Sequence, residues 1–137
     1  MTGLMVCVAV LAAASAYGVL HRRRNGRLGV RGRDEGQRLD AGRLGGELGE
    51  RATLVQFSSA FCAPCRATRR VLGEIAGMVP GVAHVEIDAE AHLDLVRDLG
   101  ILKTPTVLVL DADGRVVRRA AGQPRKADVI AALGEAV

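Results

Sequence analysis

The chain opens with an apolar run in which no side chain is charged over the 17 residues Leu4–Leu20. As a helix this run would be about 26 Å long, and the three residues before it would extend it to about the thickness of the hydrocarbon core of a bilayer. Tyr17 lies near its end, where an aromatic ring suits the membrane–water interface. We therefore predict a transmembrane anchor over residues 1–21, followed at once by the basic stretch His21–Arg24.

The rest of the chain alternates between continuous apolar runs, which predict strands, and apolar positions three or four residues apart, which predict helices. In order, we predict a short helix at Leu39–Leu48, a strand at Ala52–Phe57, a helix at Ala63–Met78, a strand at Val82–Ile87, a helix at His92–Leu99, strands at Thr106–Leu110 and Arg115–Arg119, and a last helix opened by Pro124.

The order of these elements predicts the sheet. The early strand–helix–strand unit favours parallel pairing, whereas the Asp111–Gly114 turn favours an antiparallel hairpin near the end. We expect an α/β domain over residues 38–137, with a mixed central sheet and helices on both faces.

The basic charge is confined to a short arm. Residues 22–33 hold six arginines and no acid, whereas the chain from Asp34 onward has 13 basic and 15 acidic residues, a net charge of −2. Interspersed glycines and like-charge repulsion predict an extended tether over residues 22–37, and its arginines are expected to lie against anionic lipid headgroups. Because no basic face remains on the domain, we expect no nucleic-acid partner.

The position of the basic residues also bears on the side of the membrane. They follow the apolar run and none precedes it, which favours a single-pass anchor in the cell membrane with a cytoplasmic domain. A secretory leader is the alternative, because Ala14–Ala16 offers a plausible cleavage site, although the usual basic region before the apolar run is missing. An extracytoplasmic domain therefore stays open.

The stretch FCAPCR at residues 61–66 carries the candidate chemistry. Cys62 follows a predicted strand and precedes a predicted helix, where backbone N–H groups favour a thiolate over a thiol. Cys65 lies one helical turn further on, close enough to attack a mixed disulfide on Cys62. Pro64 is compatible with a first helical turn, because its missing N–H costs little there. This context favours a redox pair.

Three other interpretations of the cysteines fit less well. Structural zinc needs four ligands, usually as two such pairs, and only His84 and His92 remain as further ligands. Covalent haem attachment needs histidine after the second cysteine, where this chain has Arg66. Inert buried thiols are the third possibility. We expect no metal and no cofactor.

Pro105 provides a second signal that is independent of the cysteines. It stands at the start of a predicted strand, in the stretch KTPT at residues 103–106, where a proline cannot donate to the hydrogen-bond ladder. A cis peptide bond is one possible reason for this position.

Three stretches in order resemble the thioredoxin family: FCAPC, ILKTPTVLVL and DADGRVVRRAAGQ, within a region that runs from Leu39 to the C terminus. The resemblance implies a thioredoxin-like fold, with Cys62 as the exposed nucleophile and Cys65 as the buried resolving thiol. It also implies that Pro105 is a cis-proline facing the cysteines.

The same resemblance implies a substrate groove. Thr104 would offer backbone hydrogen bonds to a substrate strand, and Gly122 would line the groove after the hairpin.

Four residues depart from the family pattern. Phe61 replaces the usual tryptophan and keeps an apolar side chain without the indole donor, and Ala63 replaces a glycine between the cysteines. Gln56 replaces a buried aspartate that assists proton transfer to the resolving thiol, and a glutamine cannot act as a base. His84 stands where the family often has lysine, within possible hydrogen-bonding reach of Gln56.

The function implied is a membrane-tethered thiol–disulfide oxidoreductase that reduces protein disulfides and is recharged by an electron donor, for example a thioredoxin reductase. One alternative is an extracytoplasmic thioredoxin-like protein that maintains apocytochrome or envelope thiols. Another is a non-catalytic binding module, which the departures at Gln56 and Phe61 keep open.

Overall fold

The computed structural model describes residues 1–29 and 36–137. Its helices are α1 (Thr2–Arg24), α2 (Ala41–Leu44), α3 (Ala63–Met78), α4 (Leu93–Leu99) and α5 (Lys126–Ala136). Its strands are β1 (Ala52–Ser58), β2 (Val82–Asp88), β3 (Thr106–Asp111) and β4 (Val116–Ala121), which form one sheet in the order β2-β1-β3-β4. The pairing of β1 with β2 is parallel, and the pairings of β3 with β1 and β4 are antiparallel. The predicted mixed sheet is confirmed.

The sheet has an apolar core on each face, because successive residues of a strand point to opposite sides. On one face Val55 and Phe57 pack with α4 and the segment around α2. On the other face Leu54 packs with α3 and α5, through residues such as Leu72 and Val129. The expected arrangement of helices on both faces is therefore present, and α3 is fixed beneath the end of β1.

Some element boundaries differ from the sequence prediction. The helix predicted at Leu39–Leu48 is wrong in length: Asp40 caps its start and Gly45, in a left-handed conformation, ends it after four residues. The last helix begins at Lys126, two residues after Pro124, and the final strand runs to Ala121. These shifts occur at the ends of elements, where capping and hydrogen bonding decide the boundary more than apolar spacing does.

Helix α1 is 23 residues long and carries no buried residue, and its mean hydropathy reaches 2.2. At 1.5 Å per residue it measures about 35 Å, so its length and composition suffice to cross a membrane. Its one cysteine, Cys7, is exposed and is not in a disulfide.

The chain that follows α1 lies along the open edge of β4. The Gly26 amide donates to the Ala121 carbonyl at 2.9 Å, and Gly29 and Arg119 exchange two backbone hydrogen bonds of 2.8 and 2.9 Å. After residues 30–35, which belong to the predicted tether and lie outside the described residues, Arg38 bridges to Arg115 in the same antiparallel sense. The described parts of the predicted tether therefore cover a sheet edge that would otherwise present unpaired backbone groups.

Candidate redox site

The two cysteines sit where β1 passes into α3. Cys62 is the N-cap residue of α3, with an extended backbone at φ −106°, and Pro64 occupies the first turn. Cys62 and Cys65 are joined in a disulfide with an S–S distance of 2.10 Å. The two cysteines predicted as a redox pair thus form a disulfide, at the predicted junction of strand and helix.

The two sulfur atoms have different surroundings. Cys65 is buried, at 1% exposure, whereas Cys62 is partly exposed. The Cys62 sulfur accepts a hydrogen bond from the Cys65 backbone N–H at 3.2 Å and lies 3.9 Å from the Thr104 hydroxyl oxygen. In the reduced state both donors and the α3 dipole would stabilise negative charge on Cys62 rather than on Cys65.

The loop before β3 lies against the disulfide. The Thr104–Pro105 peptide bond is cis, as the resemblance implies. The Thr104 hydroxyl is 2.7 Å from the hydroxyl of Ser59, which precedes the cysteines, and the Pro105 carbonyl accepts a 2.7 Å hydrogen bond from the Gly122 amide. Of the three predicted substrate-binding residues, the structure places Thr104 beside Cys62. Pro105 follows Thr104 and is hydrogen-bonded to Gly122, which is buried beneath the Asn25 side chain.

Gln56 is fully buried beneath the second cysteine. Its Nε2 donates to the Cys65 carbonyl at 2.8 Å and to the Ser58 hydroxyl at 2.9 Å, and its Oε1 lies 3.1 Å from His84 Nε2. The side chain therefore satisfies both of its donors, and its acceptor is satisfied when His84 carries a proton on Nε2. Glutamine is a structural partner of Cys65 here and not a base.

His84 is half-buried on β2, and burial and two nearby charges together determine its pKa. Partial burial lowers the pKa of His84 below its usual 6.5, the negative charge of Glu86 raises it, and the positive charge of Arg69 lowers it. Arg69 and Glu86 themselves form a bidentate ion pair with hydrogen bonds of 2.6 and 2.9 Å. The contact with Gln56 needs a proton on His84 Nε2, and the lowered pKa favours the neutral imidazole that carries its one proton there.

Apolar side chains project into solvent around the disulfide. Phe61 is fully exposed and has a positive φ of 58°, which is uncommon for a residue other than glycine. Ala63, which follows Cys62 in the chain, is also exposed. Leu102, two residues before Thr104, is 88% exposed. Two exposed apolar side chains, Phe61 and Ala63, therefore flank Cys62 along the chain.

Sequence reasoning missed Ser58 and Ser59 as neighbours of the site. For Ser58 the sequence offered a signal, because this residue is two positions after Gln56 on the same strand and so shares its face of the sheet. For Ser59 it offered none, since the fold of two distant loops brings the Ser59 hydroxyl to Thr104.

Within residues 1–29 and 36–137, no group of three or more His, Cys, Asp or Glu side chains is arranged to hold a metal ion. His92 instead makes a local contact, with its Nδ1 3.0 Å from the Asp88 carbonyl oxygen.

A disulfide capping a helix, with one sulfur partly exposed and a cis-proline beside it, defines the class of this site: it is a thiol–disulfide exchange centre. The sequence profile of the thioredoxin family matches residues 47–135, which include every residue of that centre. The chain belongs to the thioredoxin family.

Individual relatives agree with this assignment. A thioredoxin of Mycolicibacterium smegmatis is 34% identical over 87 residues, which cover 61% of this chain and 77% of the relative. Human thioredoxin domain-containing protein 2 is 35% identical over 60 residues, which cover 44% of this chain and 11% of that longer protein. A thioredoxin from Nicotiana alata superposes with a TM-score of 0.57 at 24% identity, over 64% of this chain and 74% of the other, and supports the fold alone.

The depressed pKa of His84 predicts a specific pH dependence of stability. The unfolded histidine binds a proton more readily than the folded one, so protonation below pH 6.5 favours the unfolded chain. The contribution of His84 to the free energy of unfolding should therefore be constant above pH 6.5 and should fall as the pH drops below 6.5. In His84→Gln, which keeps a donor near Gln56 but does not titrate, this part of the dependence should disappear. Denaturant unfolding of both proteins between pH 7.5 and 5.5 measures it, and parallel curves would contradict the assignment.

Proposed function

We propose that this thioredoxin-family oxidoreductase works as a protein-disulfide reductase tethered to a membrane by α1. The observation that carries the proposal is the asymmetry of the disulfide: the Cys62 sulfur is accessible at a helix N-terminus, whereas the Cys65 sulfur is buried directly behind it. That arrangement suits one sulfur to attack a substrate and the other to release it.

The reaction proceeds in two exchanges. The reduced Cys62 thiolate attacks one sulfur of a substrate disulfide, so that the substrate S–S bond breaks and its second sulfur leaves as a thiolate, which takes up a proton. Cys65 then loses its proton and attacks the Cys62 sulfur, which forms the Cys62–Cys65 disulfide and releases the other substrate thiol. Two electrons pass to the substrate, and a dithiol donor, for example a thioredoxin reductase, must return them.

The cis-proline loop and the exposed apolar side chains next to Cys62 are assigned to substrate binding. Thr104 offers its backbone to an extended substrate segment, and the exposed ring of Phe61 covers apolar substrate side chains. Pro105 and Gly122 are buried, with the Asn25 side chain over Gly122, and they support the groove from below. The Thr104 hydroxyl also lies near enough to Cys62 to support a developing thiolate.

Gln56 and His84, two of the residues that depart from the family pattern, bear on the transfer of a proton from Cys65. Gln56 contacts the Cys65 carbonyl but offers no base, and His84 contacts Gln56 and not the thiol. We therefore assign Gln56 and His84 to positioning, and assign the acceptance of the Cys65 proton to water.

The location proposed is the cell membrane, with α1 as a single-pass anchor. The basic residues that end α1 support a cytoplasmic domain, because Arg is preferentially retained on that side. A reducing cytoplasm would also favour the reductase direction.

Cysteine variants test the function directly. Cys62→Ser should reduce the rate of insulin reduction to that of the chemical reductant alone, because the attacking sulfur is lost, and Cys65→Ser should accumulate a mixed disulfide on Cys62. Cys7→Ser is the control and should retain the full rate, since Cys7 lies in α1. Equal turnover by the wild type and Cys62→Ser would instead favour a non-catalytic binding module.

A pair of variants at Gln56 tests the proton-transfer step. Gln56→Asp should speed the release of substrate from the mixed disulfide near neutral pH by about 100-fold, the lower end of the range that a positioned base contributes. Gln56→Asn, with a side chain of the same size but no base, is the matched control and should bring no gain. Stopped-flow measurement of release compares them, and equal rates for the two variants would mean that deprotonation of Cys65 is not limiting.

A further inference from the structure

The segment that joins α1 to the domain is attached to the domain from its first residue. We call residues Asn25–Gly29 the docked segment. It begins where α1 ends, and it is hydrogen-bonded to β4 at Gly26 and at Gly29. Leu28 adds an apolar contact with the core that lies between the sheet, α3 and α5. No free residue therefore separates the membrane helix from the domain.

Close contacts hold the start of the docked segment in place. Gly26 is buried with φ +75°, and a side chain there would collide with the Gln123 carbonyl oxygen, so that only glycine fits without distortion. The Asn25 side chain lies over Gly122, and its Oδ1 accepts a hydrogen bond from Lys103. Both contacts are made to the loops that border the substrate groove.

The docking point is at the redox end of the sheet. Because β3 is antiparallel to both β1 and β4, the C-terminal ends of β1 and β4 lie at the same edge. Gly26 binds at the end of β4, Gly122 binds Pro105, and Thr104 approaches Cys62. At 3.8 Å per residue and about 5 Å per hydrogen-bonded step, this path places the Cys62 sulfur within about 30 Å of the end of α1.

A basic cleft lies beside the docking point. It measures about 970 Å³ and is formed between the end of α1 and the start of α5. One acidic residue, Asp128, lines it together with five basic ones: Arg22, Arg23, Arg27, Arg125 and Lys126. Anionic headgroups attract such a cluster, at about 1 kcal/mol per basic residue near the surface. Arg125 and Lys126 form ion pairs with Asp128 and Glu74, so that the attraction rests mainly on the other three basic residues. Because the docked segment holds Arg27 on β4, this attraction draws the redox end of the domain, and not only α1, toward the bilayer.

We propose that the docked segment holds the redox site at the membrane surface, so that the substrates are disulfides in polypeptide segments that adjoin the bilayer. This inference rests on the proposed reductase function and specifies its substrate class. A free tether over residues 22–37 would instead extend as far as about 55 Å and let the site reach soluble proteins in any direction.

The experiment uses the full chain in nanodiscs that contain anionic phospholipid, with Cys62 and Cys65 reduced beforehand. The probe is a synthetic membrane-spanning peptide that carries the same disulfide loop at both ends, so that its direction of insertion does not matter. In the near probe the loops lie about 5 residues from the span. In the far probe they are separated from it by a semi-rigid helical spacer of about 40 residues, or about 60 Å. In each single turnover the chain's dithiol becomes a disulfide and the probe's disulfide becomes two thiols.

A flexible insertion supplies the matched variant. Twenty Gly and Ser residues between Arg24 and Asn25 leave the docked segment on β4 but release the domain from α1. The same twenty residues added after Val137 form the control, which should behave as the wild type does.

The wild type and the control should reduce the near probe at least about tenfold faster than the far probe. A redox site held at the surface meets the near loop at a high effective concentration but cannot reach the far loop. The insertion variant should show a clearly smaller difference between the probes, because twenty flexible residues add about 25 Å of reach. Equal rates for the two probes with the wild type would overturn the inference and leave the reductase function intact, as would a near preference that the insertion leaves undiminished. Reduction of neither probe by the wild type would overturn the proposed function itself.

Discussion

The redox chemistry of the site depends on one hydrogen bond, which the Cys65 N–H donates to the Cys62 sulfur at the start of α3. It exists because β1 ends at Ser58 and α3 begins at Ala63, so that Cys62 takes the place of the oxygen-bearing residue that usually caps a helix. The first turn of α3 then faces a sulfur, and one turn of helix brings the second sulfur within bonding distance. Two buried cores fix the strand and the helix on which this junction depends.

The surroundings of the disulfide divide into a buried side and an open side. On the buried side Gln56 joins the Cys65 carbonyl to His84 through a chain of hydrogen bonds, which positions the second cysteine without supplying a base. On the open side the cis-proline loop and the ring of Phe61 flank the first cysteine. Asn25 contacts Gly122 next to the cis-proline loop, so that the end of α1 and this loop share one end of the sheet.

The sequence predicted best what depends on neighbours along the chain. The CxxC pair, the helix after it and the strand after Pro105 follow from local spacing. The contact between Gln56 and His84, which are far apart along the chain, was suggested only by the resemblance to the thioredoxin family. The docking of Asn25–Gly29 on β4 was missed because backbone hydrogen bonds between distant segments leave no side-chain pattern. The short α2 was overextended because apolar spacing continued beyond Gly45, where the backbone turns away.

The most direct test of the account is the pH dependence of alkylation at Cys62 in the reduced chain, followed by mass spectrometry. A sulfur held at the start of α3 by the Cys65 N–H should react with a midpoint clearly below about 8.5, the value of a free cysteine. A midpoint at or above that value would contradict the claim that the helix terminus activates Cys62 as the attacking thiolate.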